Sequence, residues 1–169
     1  RPNQAVSCTT LLADNMEVAT NSEPVETARK WNLRMLAGNY PSAAFTAYPE
    51  KPFHKLAADH GLTADDFHGA DALAKDDSHT YITTDMSRCI NCYACVRICA
   101  DVQGQFVWHV VGRGEDSEIV PDSFGPFGDS TCVSCGACVD ACPSGALEDK
   151  TVIERGFPTE WTKTTCPYC

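Results

Sequence analysis

The sequence of 169 residues carries 23 acidic against 13 basic side chains, a formal charge of −10, 43% apolar residues and eleven cysteines. That length allows one or two small domains with a modest core, and the charge argues against nucleic acid or anionic lipid as a partner. No apolar run approaches the roughly 20 residues of a membrane span, and nothing after Arg1 resembles a secretory leader. The expected setting is reduced and cytoplasmic, and the chain reads as an interior piece of something longer.

In chain order, short β-type runs around Cys8 and a turn at Asp14–Asn15 suggest a strand pair. Cys8 itself is most simply a buried small hydrophobe. A helix should follow, capped by Ser22, with Pro24 in its first turn, a stop at Gly38, and Val25, Ala28, Trp31 and Met35 along its packing side. Residues 39–52 carry three prolines and read as a loop. Phe53 to His60 form a short amphipathic helix ended by Gly61. Residues 62–79, rich in Asp and His, read as a connector with scattered surface charge rather than a metal site. It leads into a strand over 80–84.

Cys89, Cys92, Cys95 and Cys99 are spaced C-x2-C-x2-C-x3-C, and Cys132, Cys135, Cys138 and Cys142 repeat the spacing, with Pro143 behind the last. This is the run of bacterial two-cubane ferredoxins, in which the fourth cysteine of each motif ligates the other cluster. Cys89, Cys92, Cys95 and Cys142 are thus assigned to one [4Fe-4S] cluster, and Cys132, Cys135, Cys138 and Cys99 to a second. Zinc needs no third cysteine at the same short step, and an odd cysteine count in a reduced setting argues against disulfides. The fold class expected is α+β: a two-[4Fe-4S] ferredoxin unit with a small N-terminal segment of helix and strand.

Each motif should be preceded by a strand and followed by a helix and a strand. Helices are expected over 94–101 and 137–142, a strand over 105–111, and a closing strand and turn over 146–153. The stretch from 112 to 131 is too long for a hairpin turn and is expected to lie over the clusters or against a partner. Its Gly112-Arg113-Gly114 step lacks the further glycine and lysine of a phosphate loop. Arg88 and Arg97 flank the first motif, either raising its potential by their charge or serving as surface salt-bridge partners.

The chain ends Thr164-Thr-Cys-Pro-Tyr-Cys169. A redox C-x-x-C needs a helix behind its first cysteine to lower the thiol pKa, and the sequence stops at the second. Two free thiols and half of a cluster motif remain as readings.

The stretches 86–104, 132–146 and 164–169 together resemble the N-terminal region of the catalytic subunit of NAD-dependent, molybdenum- or tungsten-containing formate dehydrogenases. That region is similar to the large peripheral subunit of complex I and to the electron-transfer subunit of NAD-reducing hydrogenases. The resemblance implies a wire for electrons with no catalytic residue of its own. It would run between a formate-oxidising or CO2-reducing Mo/W-bis(pterin guanine dinucleotide) site and a flavin/NAD-binding subunit with its own iron–sulfur clusters.

It also divides the chain. Residues 1–38 would end a plant-type [2Fe-2S] domain, with Cys8 its last ligand, and residues 39–79 would correspond to a histidine-ligated cubane region and connector. Residues 80–155 would be the two-cubane domain. Residues 156–169 would open the metal–pterin domain, Cys166 and Cys169 being the first ligands of a further [4Fe-4S] cluster. The histidine-ligated site of such proteins has the spacing H-x3-C-x2-C-x5-C, which lands here on Tyr40, Ala44, Ala47 and Phe53. The implied cluster is lost and its space filled by apolar groups. A hydrogenase or complex I module would be expected to keep those ligands, and a stand-alone ferredoxin would need neither Cys8 nor the final C-P-Y-C.

Overall fold

A computed structural model describes residues 4–69, 75–156, 159–160 and 162–165. The chain divides into two compact units, Arg1–Asp71 and Ala72–Cys169.

The first unit is helical. α1 spans Glu23–Gly38, with Pro24 in its first turn, where a missing N–H costs nothing, and Glu23 and Glu26 beside the positive end of its dipole. Ser22 stands at its N-cap without a side-chain hydrogen bond, and Asn39 closes it. Its buried face is Leu33 and Ala37, whereas Trp31 and Met35, expected to pack, are 59% and 66% exposed. Two apolar stripes share this helix, and the one packed against the unit lies a turn's fraction away from the one expected.

α2 (Ser42–Ala47) occupies the stretch read as a loop, because Pro41 and Pro52 stand at helix starts rather than inside helices. α3 (Pro52–Asp59) follows, and Gly61, at φ +76°, takes the chain out of it. No strand pair forms around Cys8; residues 4–19 are turns and irregular backbone, and Cys8 is exposed, not buried.

The second unit is built from two strand–helix–strand halves. β1 (Ile82–Thr84), α4 (Ala94–Arg97) and β2 (Trp108–Val111) form the first half. β3 (Glu118–Pro121), α5 (Ala137–Ala141) and β4 (Leu147–Asp149) form the second. The strands pair antiparallel, first with last and second with third: Thr83 faces Glu148 in one ladder, and Val110 faces Ile119 in the other. Between the halves lies one apolar core of Ile82, Val107, Trp108, Ile119, Phe127, Leu147, Cys99 and Cys138.

Three elements differ from expectation. The stretch from 112 to 131 is no plain cover: it contributes β3 to a hairpin with β2, and Phe127 enters the core at 1% exposure. The first motif's helix is only four residues long before it widens into a π-turn over Ile98–Val102. Behind β4 the chain turns into α6 (Lys150–Arg155), since the Asp149 carboxylate accepts from the Thr151 and Val152 amides and caps a helix.

The acidic connector also has structure. Asp76 pairs backbone to backbone with Thr84, and its carboxylate accepts from the Phe127 amide at 2.7 Å and the Ser78 amide at 2.8 Å. Although burial raises its pKa, those hydrogen bonds hold the carboxyl below its ordinary value.

Candidate metal centres

The two cysteine-bearing loops wind alike. In the first, Asn91 and Tyr93 have φ of +51° and +59°; in the second, Ser134 and Gly136 at the matching positions have +59° and +76°. These left-handed steps curl each loop so that an amide points back at its first sulfur. The Asn91 N–H lies 3.4 Å from Cys89 Sγ, and the Ser134 N–H lies 3.4 Å from Cys132 Sγ. The left-handed cost for non-glycine residues, roughly 1–2 kcal/mol each, is borne where the loop has to wrap something.

The two loops and their helices enclose two cavities. One, with about 340 Å³ of empty space partly open to solvent, is lined by Cys89, Cys92, Cys95 and Cys142. The other, with about 320 Å³, is lined by Cys99, Cys132, Cys135 and Cys138. Each cavity therefore takes three cysteines from one motif and the fourth from the other. Cys99 reaches across from the π-turn, whose wider winding sets its direction, and π-turns of this kind recur at functional sites. Cys142 stands just past the end of α5 in extended conformation, ahead of Pro143, rather than on the helix.

Burial in the cavities disfavours ionisation of the cysteine thiols. Burial pushes the Cys95 thiol up to about 12, with the neighbouring Cys89 and Cys142 sulfurs adding to it. Burial likewise pushes Cys138 up to about 11, against a hydrogen bond from the Trp108 side chain. Cys89 and Cys132 are raised by the same cause. Four crowded thiols resist ionising together unless a positive core sits among them, and a bound metal inverts that logic. Among the described residues, no group of three or more His, Cys, Asp or Glu closes on a single-ion site. The sulfurs line the two cavities instead.

Arg88 gives its charge away. Its guanidinium lies 3.0 Å from Asp85 Oδ2 and 3.0 Å from Glu148 Oε2, tying the start of the first motif to β4. It is a salt-bridge residue, and Arg97 is exposed.

The first unit holds a different cluster. Tyr40, Ala44 and Phe53 are buried and Ala47 is exposed. The space is filled by rings: Phe45 stacks on Phe67 at 4.2 Å, and Tyr40 meets Phe53, His54 and Phe67 edge-on at 5.2–5.8 Å. His54 is buried with both nitrogens engaged, Nδ1 at 2.6 Å from the Tyr48 carbonyl and Nε2 at 2.7 Å from the Tyr40 hydroxyl. His60 faces the Leu56 carbonyl and Glu26. Phe45 and Phe67 fall on none of the positions that the H-x3-C-x2-C-x5-C spacing marks, so spacing alone does not find them. Cys8 is the sole cysteine of this unit's sequence, and Cys166 and Cys169 lie outside the described residues.

Residues 79–148 match the family model described as NADH-quinone oxidoreductase subunit 3, ferredoxin-like domain. Over 156 residues the chain is 33% identical to the NADP-reducing hydrogenase subunit HndD of Solidesulfovibrio fructosivorans, covering 90% of this chain and 27% of that one. It is 30% identical over 168 residues to the NADPH-Fe(3+) oxidoreductase subunit alpha of Geobacter sulfurreducens, covering 96% and 20%. Among solved structures, it superposes on a chain of an NAD+-reducing [NiFe]-hydrogenase in the H2-reduced state with a TM-score of 0.76 at 29% identity, covering 92% of this chain and 67% of that chain. The homologues are oxidoreductase subunits, and the chain spans about a fifth to a quarter of the length of these curated relatives. No helix among the described residues is long and apolar enough to cross a membrane.

Proposed function

We propose that this chain is an electron relay holding two [4Fe-4S] clusters, one ligated by Cys89, Cys92, Cys95 and Cys142 and the other by Cys99, Cys132, Cys135 and Cys138. The observation that carries the reading is the division of eight cysteines between two cavities, three plus one in each. When bound, such clusters supply one-electron transfer, and the protein supplies spacing, orientation and dielectric. Here the two halves share one core, so the cavities are held at a fixed separation. The amides at Asn91 and Ser134 point donors at sulfur, and the apolar walls keep the sites largely dry.

In the complete assembly the relay would join a flavin/NAD-binding partner to a second redox site. The end Thr164–Cys169 and the loss of ligands at Tyr40, Ala44, Ala47 and Phe53 favour a formate-oxidising or CO2-reducing molybdenum- or tungsten-pterin site, with Cys166 and Cys169 starting a further cluster and Cys8 ending a [2Fe-2S] one. The likeness to the hydrogenase subunits favours a hydrogenase instead.

Iron analysis and EPR after dithionite reduction of the anaerobically prepared chain test the relay. About eight irons and two reducible centres are expected; zinc, or about four irons at saturation, would overturn it. Cys99→Ser should alter the centre held mainly by the second motif, and a change confined to the first motif's centre would show that ligation is not crossed. Activity of the full-length protein with formate or with H2 as donor separates the two assemblies.

A further inference from the structure

The two left-handed corners that aim amides at sulfur are each tied from outside their own loop. Asn91 and Ser134 occupy the same place, two residues after the first cysteine of their motifs. Asn91 Nδ2 donates to the Ser117 carbonyl at 3.2 Å, and Ser134 Oγ lies 3.3 Å from His79 Nε2. Ser117 stands just ahead of β3 and His79 ahead of β1, so each loop is fastened to the other half. The ties cross between the halves as the fourth cysteines do.

His79 is itself fixed. It is 7% exposed, its carbonyl accepts from Lys150 Nζ at 2.6 Å, and its ring stacks on Phe127 at 4.6 Å and 24°. Phe127 stacks in turn on Trp108 at 4.7 Å and 27°, which makes an aromatic pile of three rings. The Tyr81 and Ile82 amides donate to His79 Nδ1 at 3.2 and 3.1 Å. That leaves the ring proton on Nε2, which donates to Ser134 Oγ. Neither His79 nor Ser134 lines the second cavity. Cys132 does, and the Ser134 amide, 3.4 Å from its sulfur, is the link. Ser134 holds φ +59° at the cost any L residue bears there, and a tie on its side chain opposes relaxation of the corner.

We propose that these crossed ties set the potentials of the two centres separately, with His79 the positioning residue for the centre in the Cys99, Cys132, Cys135 and Cys138 cavity. By holding Ser134 Oγ, His79 keeps the Ser134 amide on the Cys132 sulfur. A reduced cluster carries one more negative charge, and a donor kept on a ligand sulfur stabilises that form over the oxidised one, so the tie raises the potential. The Asn91 tie to Ser117 does the same for the first motif's centre. The inference rests on the two-cluster reading above.

The test is an EPR-monitored redox titration of the iron-loaded protein and of Ser134→Ala, which removes only a hydroxyl from an exposed position. The second motif's centre should lose about tenfold in its one-electron reduction equilibrium constant, a fall of about 59 mV, while the other stays put. His79→Phe, which keeps a ring on Phe127, should give the same shift, and the double variant should go no further, because the two residues act through one bond. Unchanged potentials, equal shifts in both centres, or shifts that add in the double variant would overturn the proposal. Should His79→Phe load poorly, Ser134→Ala and its mirror Asn91→Ala decide it. Each should lower only the centre of its own motif, and any other pattern would overturn the proposal. A wild-type protein with fewer than two reducible centres would instead remove the reading beneath it.

Discussion

Gly112 and Gly136 both sit in left-handed backbone, at φ +67° and +76°, yet a side chain at each would meet different surroundings. A Cβ on Gly136 would have open space, whereas one on Gly112 would stand 2.1 Å from the Asp116 carbonyl oxygen. Gly136→Ala should therefore cost only the backbone strain, about 1–2 kcal/mol. Gly112→Ala should cost more, because the hairpin turn itself has to shift. Chemical denaturation of the two variants side by side checks the order.

His79 gives a pH prediction of defined sign. Burial holds its pKa below the ordinary value, the Lys150 ammonium adds to that, and Asp76 opposes it. The folded state therefore binds fewer protons than the unfolded chain. His79's contribution is fully present above the unfolded pKa of about 6.5 and is lost as pH falls through its lower folded value. Thermal unfolding midpoints should drop across that window in the wild type, and His79→Gln should flatten the slope there while lowering stability at neutral pH. An unchanged slope would count against the account.

At the scale of elements, the buried Tyr40–His54 pair ties the end of α1 to α3 within an otherwise apolar set of rings. Tyr40→Phe keeps the ring packing and removes the hydroxyl facing Nε2. An expected loss of about 1–3 kcal/mol follows from disturbing a buried hydrogen bond of this kind. Calorimetry that shows no change would mean the pair contributes nothing net.

The same region shows what was readable. Cysteine spacing is written directly in the covalent chain, so the candidate ligand sets and the elements of the first half could be stated beforehand, and of the second half its helix and closing strand. Which stripe of α1 faces inward could not, since Leu33 and Ala37 compete with Trp31 and Met35 and only tertiary packing chooses between them. α2 was hidden by prolines that begin helices as readily as they end them. Strand β3 is easily missed inside the long stretch 112–131, although Glu118-Ile-Val-Pro121 is a short β-branched run. The π-turn around Cys99 has no sequence signature and emerges from the demand that this cysteine face the other loop.

At the scale of the molecule, the formal charge of −10 would be deepened by about four units if eight thiolates surround two cores of about 2+ each. A docking partner then has reason to present basic residues, and electron transfer to it should slow as salt is raised. The aromatic pile, the Asp76 anchor and the β4 partner of the Arg88 salt bridge are not legible in the sequence, because each joins residues far apart in the chain. His79 meets Phe127, Asp76 meets the Phe127 amide, and Arg88 meets Glu148.

The exchange of fourth cysteines between the loops bears on how the molecule can be made. Cys142 leaves the ribosome about fifty residues after Cys89, a delay of about 3–10 s at ordinary rates of synthesis. Through that interval the first cavity has three of its four cysteines and its strand β1 lacks its partner β4. A nascent chain thus exposes a row of thiols before it can shelter them, and a chain stalled just before Cys142 holds all four cysteines of the second cavity but only three of the first. The two cavities are therefore completed in the reverse of their order along the chain, the second by Cys138 and the first only when Cys142 and β4 have followed.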